Sequence, residues 1–150
     1  MADIGIDQKD PYFVAVKVFL EDGGKLFIFK DKFGAWDLPG GRIKKHEFQT
    51  PLHDIVKRKM SEEVGDVLQY TVETMPSVLM RHERVESIPG NPTVHIFGLG
   101  YRATRAGGEV VLSDAHTEMK WVDVNEFKPE EYFTGGWLDG VREYLKLIKK

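Results

Sequence analysis

One stretch of the sequence, from Trp36 to Asp66, constrains the fold more than any other. It begins as a short strand, breaks at Pro39-Gly40-Gly41, and continues through a basic loop to Glu47. Thr50 and Pro51 then suit the start of a helix, because threonine caps helices and proline favours the first helical position. A strand, a glycine turn and an acidic helix can together form a cradle for a divalent cation and a phosphate, since Mg²⁺ prefers oxygen ligands and often shares them with phosphates.

The predicted helix has an apolar face and a charged flank. Its aliphatic residues recur at three- and four-residue spacing, which indicates one buried stripe. Glu62 and Glu63 lie off that stripe, on the flank that can face the glycine turn, and Lys59 shares their surface. The residues of the apolar stripe are Leu52, Ile55, Val56, Met60 and Val64.

Length and composition favour a single globular domain over residues 1–150, large enough to bury a core without disulfides or structural metals. The net charge of −3 gives no general attraction to nucleic acid or to an anionic membrane. The absence of cysteine excludes disulfides and thiolate metal sites. The first residues have no apolar run typical of a signal peptide, and no later stretch has the length of a membrane span, so we expect a cytoplasmic protein.

The remaining chain predicts further strands around two helices, which indicates an α/β sandwich with a mixed sheet. A final segment from Trp137 has apolar residues at helical spacing and is expected to pack on the sheet. The connection Val85 to Pro92 could close over a ligand. The other predicted strands are Tyr12 to Leu20, Lys25 to Lys30, Thr74 to Arg84, Thr93 to Thr104, Glu109 to Leu112 and Met119 to Val124.

The Trp36–Asp66 stretch resembles the Nudix box, whose pattern is G-x5-E-x7-R-E-U-x-E-E-x-G-U with U aliphatic. Gly41 and Glu47 match its first half, and R-x-M-x-E-E-x-G from Arg58 matches its second half in register. Three positions depart from the pattern: the spacer has ten residues in place of seven, Lys59 replaces a glutamate, and Asp66 replaces the last aliphatic residue. The resemblance implies a Nudix-type α/β/α sandwich.

The same resemblance implies roles for individual residues. Gly40 or Gly41 would offer a backbone carbonyl to a metal ion, and Glu47 would lie between the metal cluster and Arg58, which orients the carboxylates. The expected metal ligands are Gly40, Gly41, Glu47, Glu62 and Glu63, and Arg58, Glu62 and Glu63 are also expected to act in catalysis. The expected ion is Mg²⁺, with Mn²⁺ as a substitute.

Lys59 leaves the identity of the general base open, because the glutamate that it replaces binds metal or activates water in the usual Nudix site. A late segment offers two candidates, His116 and Glu118. GDP-mannose-type Nudix hydrolases look similar there, with a histidine five residues before a tryptophan, which is Trp121 in this chain. A histidine titrates near neutral pH, which suits a general base. The alternative is that this segment is a loop ahead of a core tryptophan.

Three further residues are candidates for substrate binding. Trp36 could stack on a nucleobase or serve as a buried anchor. Arg42 lies in the basic loop beside the glycines, where it could contact phosphate or remain an exposed charge. Arg81 belongs to a charged cluster that could contact phosphate or base, or could form a solvated strand end.

Together these features predict a hydrolase that cleaves a nucleoside diphosphate linked to another moiety, at the pyrophosphate bond and with a divalent metal. One alternative is a nucleotide-sugar hydrolase of the GDP-mannose type that uses His116 as base. An alternative of another class is a non-catalytic nucleotide-sensing module, which Lys59 favours and the retained metal-binding half of the motif disfavours. The expected partner is a small-molecule nucleotide rather than nucleic acid or membrane, and the resemblance allows a homodimer.

Overall fold

A mixed β-sheet forms the middle layer of the protein, and the computed structural model describes residues 8–85 and 93–149. The predicted connection from Val85 to Pro92 lies outside these residues except for Val85, which ends a strand. The strands are β1 (Tyr12–Asp22), β2 (Lys25–Asp31), β3 (Trp36–Asp37), β4 (Gly40–Arg42), β5 (Gln69–Val72), β6 (Val78–Val85), β7 (Thr93–Gly107) and β8 (His116–Asp123), and the helices are α1 (Leu52–Val64) and α2 (Gly135–Ile148). Lys45–Glu47 and Pro129–Glu131 form short 3-10 turns.

The middle of the sheet is split between β1 and β2. These strands pair only at their hairpin end, where Glu21 faces Leu26 and Asp22 faces Lys25. Beyond that point they separate, and the chain that follows the hairpin fills the gap: β4 pairs with β1, and β3 pairs with β2. The glycine turn between β3 and β4 is therefore held in the split by strands on both sides.

The other pairings extend the sheet outward from this split. On its far side, β1 runs parallel to β7 from the Tyr12–His95 pair to the Glu21–Thr104 pair. The opposite edge of β7 is shared by β6 and β5, both antiparallel to it. On the other side of the split, β8 runs antiparallel to β2.

Strand alternation divides the apolar residues between two cores, one under each helix. In β1, Val16, Val18 and Leu20 face α1, while Phe19 faces α2. In β2, Phe27 belongs to the α1 core, whereas Ile28 belongs to the α2 core. Because both faces of the sheet are covered, β1 and β2 are continuous apolar runs, as strands buried on both faces should be. This arrangement confirms the predicted α/β/α sandwich with a mixed sheet.

One predicted strand does not form, and one strand that does form was not predicted. Glu109–Leu112 is not a strand and pairs with no strand of the sheet. Its apolar residues instead pack on the α1 core, and the Val111 amide donates to the Val64 carbonyl at 2.9 Å. Strand β5 was not predicted because it is only four residues long and half-exposed, with little apolar pattern.

The boundaries of other elements also differ from the prediction. Helix α1 begins at Leu52 with Pro51 in the capping position, and the Thr50 side chain makes no capping hydrogen bond. Strand β6 begins at Val78 rather than Thr74, and β8 begins at His116 rather than Met119. Among the described residues, no helix is both long and apolar enough to span a bilayer.

Candidate active site

The glycine turn is clamped against the backbone of β1. The Val18 amide donates to the Pro39 carbonyl at 2.8 Å, and β4 continues the pairing from Gly40. Gly40 has φ of +140°, and a Cβ atom there would lie 2.0 Å from the Val16 carbonyl oxygen. Only glycine fits such a position. The turn is therefore fixed close to the middle of the sheet.

Glu63 reaches this turn from α1. The Gly40 amide donates to the Glu63 carboxylate at 2.7 Å. Burial is the main influence on this carboxyl and raises its pKa to about 7, against the opposing effects of the Gly40 hydrogen bond and of the Lys17 charge. A carboxyl with a pKa close to neutrality can accept and release a proton under ordinary conditions, which is a property expected of a catalytic group.

Glu47 is held by Arg58 in a fork. The guanidinium donates from Nε to one carboxylate oxygen at 2.6 Å and from a terminal nitrogen to the other at 2.7 Å. The Lys44 amide adds a third hydrogen bond, and Glu47 is only 4% exposed. The hydrogen bond from Arg58 is the main reason that the pKa of Glu47 lies below its usual value. This ion pair fastens the basic loop to α1.

Arg58 also binds Glu62, the more exposed of the two adjacent glutamates. Its other terminal nitrogen donates to both Glu62 oxygens, at 3.0 and 3.1 Å. Both Glu47 and Glu62 thus have their carboxylates engaged by one guanidinium. The partner of Glu63 is instead the Gly40 amide.

Lys59 lies across the glycine turn. Its side chain is 16% exposed, and its ammonium nitrogen is 3.9 Å from a Glu62 oxygen. A Cβ atom placed on Gly41 would come within 2.5 Å of that nitrogen. The Lys59 charge also acts on Glu63, whose pKa it lowers slightly against the effect of burial. The residue that departs from the motif therefore stands at its centre.

A second lysine, Lys17, enters the site from β1 and was not predicted from the sequence. It is 5% exposed, and its ammonium donates to both Asp37 oxygens at 2.9 and 3.0 Å. The same ammonium lies 4.9 Å from the centroid of the Trp137 ring, which stacks on His82. The signal that could have identified it is a single lysine in the middle of an otherwise apolar buried strand.

His116 is connected to the carboxylate end of α1 through Ser113. The Ser113 amide donates to the backbone carbonyl of Glu63 at 3.3 Å, and the Ser113 hydroxyl is hydrogen-bonded to His116 Nδ1 at 3.1 Å. The imidazole stacks on Phe29. Burial lowers the pKa of His116 below its usual value, although Asp37 and Asp31 oppose that shift. This shift favours the neutral imidazole.

Glu118 is not brought to the carboxylates of α1. Its partner is Lys30, at 3.5 Å across the β2–β8 pairing, and its side chain is 47% exposed. The Lys30 ammonium in turn lies 5.4 Å from the centroid of Trp36. Glu118 is therefore at the Trp36 side of the sheet, whereas His116 packs on a residue of the α1 core.

The three residues predicted to bind substrate are at separate places. Trp36 is half-buried, packs edge-on against Tyr132 and has a lysine ammonium near its ring from both Lys30 and Lys120. Arg42 lies over the Phe13 ring and lines an open apolar groove of about 780 Å³ beside Glu47. Arg81 lines a different cavity, of about 380 Å³, between β6 and α2.

The donor set as folded does not fit a resident divalent cation. Such a cation needs several oxygen ligands converging on one point. Glu47 and Glu62 are occupied by Arg58, and one Glu63 oxygen accepts the Gly40 amide. Across residues 8–85 and 93–149, no group of three or more histidine or acidic side chains is arranged to hold a metal. Of the predicted ligands, Glu63 accepts the amide of the glycine turn, whereas Glu47 accepts hydrogen bonds from Arg58 and from the Lys44 amide of the basic loop.

Comparison with known proteins gives a single family. The family model described as the NUDIX domain matches residues 11–138. Among solved structures, a MutT protein from Methanosarcina mazei Go1 is similar with a TM-score of 0.72 at 20% identity, covering 95% of this chain and 99% of that one. A search of curated proteins finds no match.

Two other solved structures share the fold. One is described as a possible asymmetric diadenosine tetraphosphate hydrolase from Jonesia denitrificans, with a TM-score of 0.69 at 17% identity, covering 91% of this chain and 94% of that one. The other is an ADP-ribose pyrophosphatase from Streptococcus suis, with a TM-score of 0.62 at 14% identity, covering 93% of this chain and 94% of that one. At these identities the likeness is one of fold.

Proposed function

The chain belongs to the Nudix family of hydrolases, and we propose that it hydrolyses the pyrophosphate bond of a nucleoside diphosphate linked to another moiety. The observation that carries this proposal is the contact between Glu63 and Gly40. It places a carboxyl with a pKa of about 7 against a fixed glycine turn. The solved structures of this fold named for ADP-ribose and diadenosine tetraphosphate are consistent with this substrate class.

In the proposed reaction, the Glu63 carboxylate removes a proton from water. The water oxygen attacks one phosphorus of the diphosphate, a bond forms between them, and the bridging oxygen leaves with the second phosphate. Arg58 keeps the loop and helix aligned by binding Glu47 and Glu62. General base catalysis of this kind contributes roughly 10²–10⁴-fold to a rate.

Nudix hydrolases generally use a divalent metal, and we propose that Mg²⁺ or Mn²⁺ enters this site as a complex with the substrate diphosphate. Glu63, which accepts the Gly40 amide, and its neighbour Glu62 are the α1 carboxylates that such a complex could approach. A bound cation would polarise the phosphoryl oxygens. Because α1 offers no set of free ligands before the nucleotide arrives, we expect metal affinity to depend on the nucleotide.

The second candidate function is attack at the sugar carbon of a nucleotide sugar, with His116 as the base. Its support is the position of His116, whose Nδ1 atom is hydrogen-bonded to the Ser113 hydroxyl beside the backbone of Glu63. Hydrolysis in ¹⁸O-labelled water separates the two candidates. Label in the phosphate product supports attack at phosphorus, and label in the released sugar supports attack at carbon.

The test of the proposed function is a panel of substrates with product identification. The purified protein would be incubated with Mg²⁺, with Mn²⁺ and with a chelator against ADP-ribose, dinucleotides, nucleoside triphosphates and nucleotide sugars. We expect turnover of one class and loss of that turnover with the chelator. No product from any compound, together with retained nucleotide binding, would instead favour the nucleotide-sensing module.

A further inference from the structure

Lys59 is a mostly buried cation with spare hydrogen-bonding capacity. An ammonium has three N–H donors. Within the described residues its ion-pair partner is Glu62, at 3.9 Å, which is longer than a hydrogen bond. Glu62 is already engaged by Arg58 at 3.0 Å. The Lys59 donors therefore remain open to a ligand at the glycine turn.

The other cations of the site are already satisfied. Lys17 makes two short contacts to Asp37 and lies over Trp137. Arg58 divides its donors between two carboxylates. Of Lys17, Arg58 and Lys59, Lys59 is thus the one whose contacts leave donors available to an anion.

The charge balance of the site points in the same direction. Lys17, Arg58 and Lys59 face the four carboxyl groups of the site, so three cations accompany four carboxyl groups. A glutamate in place of Lys59 would leave two cations with five carboxyl groups. That second arrangement repels a diphosphate more strongly, and a divalent cation would offset the repulsion, whereas the Lys59 ammonium already offsets part of it. The four carboxylates are Asp37, Glu47, Glu62 and Glu63.

We propose that Lys59 is a substrate-binding residue whose ammonium binds the diphosphate directly over Gly41, in place of a protein-held divalent cation. This inference rests on the proposed function in that it takes the pyrophosphate group as the part of the substrate at this turn. It means that the anion can bind without metal. It also means that the protein without nucleotide binds Mg²⁺ or Mn²⁺ weakly, because the Lys59 charge repels it.

The first test measures pyrophosphate binding in the presence of EDTA by isothermal titration calorimetry. Inorganic pyrophosphate is the probe because it carries the shared chemistry of all candidate substrates. We expect wild-type protein to bind it and Lys59→Gln to bind it about tenfold more weakly or worse, which is typical of one lost charge-assisted hydrogen bond. Lys57→Gln is the matched control, since Lys57 is an exposed lysine of the same helix, and it should bind like wild type.

The second test measures Mn²⁺ binding by electron paramagnetic resonance without any nucleotide. Lys59→Glu should bind Mn²⁺ at least tenfold more tightly than wild type, because a carboxylate replaces a repelling ammonium. Equal pyrophosphate binding by wild type and Lys59→Gln in EDTA would overturn the proposal. So would tight Mn²⁺ binding by the wild-type protein, or the absence of pyrophosphate binding without metal. Circular dichroism would establish that each variant is folded.

Neither test depends on turnover, so the inference and the proposed function can fail separately. Pyrophosphate binding through Lys59 with no hydrolysis of any panel substrate would contradict the proposed function and leave the inference standing. Metal-dependent hydrolysis with pyrophosphate binding that ignores Lys59 would do the opposite.

Discussion

Glu47 and Glu63 belong to one motif and serve different purposes, and the difference lies in their partners. Glu47 is only 4% exposed, yet its pKa is lowered, chiefly because Arg58 forms a two-point hydrogen bond with it. Desolvation is the largest influence on Glu63, whose pKa is raised to about 7, because one backbone amide offsets only part of that desolvation. The hydrogen-bond partners of each carboxyl, and not its exposed area alone, therefore set the direction of its pKa shift.

The comparison also shows how a short motif separates structure from chemistry. Arg58 is hydrogen-bonded to both Glu47 and Glu62, and this holds the basic loop against the helix. That leaves Glu63 beside the glycine turn with a protonation state that ordinary pH can change. A carboxylate without a guanidinium partner is costly in a buried place, and such a cost is common at functional sites.

The largest expected effect is on catalysis, from Glu63→Gln. The amide oxygen can still accept the Gly40 hydrogen bond, so the protein should remain folded, but the side chain can no longer take a proton. We expect kcat on the best panel substrate to fall by roughly 10²–10⁴-fold. Steady-state kinetics with circular dichroism would measure this, and unchanged turnover would remove Glu63 from its proposed role.

The next largest effect is on stability, from Arg58→Ala. The substitution leaves Glu47 without its fork and frees the basic loop from α1, and we expect the melting temperature to fall by roughly 5 °C or more. Thermal denaturation followed by circular dichroism would measure it. Arg142→Ala, which removes an exposed surface pair with Glu130, is the matched control and should change little. Equal effects of the two substitutions would contradict the structural role of Arg58.

A third effect is a pH dependence that distinguishes the two carboxyls. Between the unfolded pKa of Glu63, 4.5, and its folded value of about 7, the folded protein binds more protons at this site than the unfolded chain. Its contribution to stability is therefore present below pH 4.5 and is lost as pH rises through about 7.

Glu63→Gln removes this loss. The melting temperature of the variant should thus match wild type near pH 4.5 and exceed it by a few degrees at pH 8. The titration of other groups is common to both proteins and cancels in the difference. A difference that stays constant with pH would show that Glu63 has an ordinary pKa.

The smallest expected effect is that of His116→Ala on hydrolysis at phosphorus. If Glu63 is the base, the variant should retain turnover within about threefold, since one base suffices for general base catalysis. A loss comparable to that of Glu63→Gln, together with label from ¹⁸O-water in the sugar, would transfer the role of base to His116. The same kinetic assay measures both substitutions.

The motif made much of the site predictable from the sequence. The spacing of Gly41, Arg58 and Glu63 was enough to predict a glycine turn facing an acidic helix, because turn and helix are local structures. The periodicity of α1 and α2 likewise predicted which faces would be buried, except that Leu52 in the first turn of α1 is exposed. The layered fold followed from those elements, because each apolar face must be covered by another element.

The remaining features depend on contacts between distant parts of the chain. Lys17 and Asp37 are brought together by the split between β1 and β2, which no local pattern announces. Glu109–Leu112 has the composition of a strand, but its Val110 and Leu112 pack on the α1 core instead. Which glutamates pair with Arg58 is likewise set by three-dimensional geometry rather than by their spacing in the sequence.

The parallel pairing of β1 with β7 has a consequence for how the protein is made. Tyr12 pairs with His95, so the strand that clamps the glycine turn receives its neighbour only after most of the chain has been synthesised. Trp137, which covers Lys17, comes later still. Such distant pairings fold slowly compared with local ones. During synthesis, the complete motif thus emerges well before β7 and Trp137, which complete its surroundings.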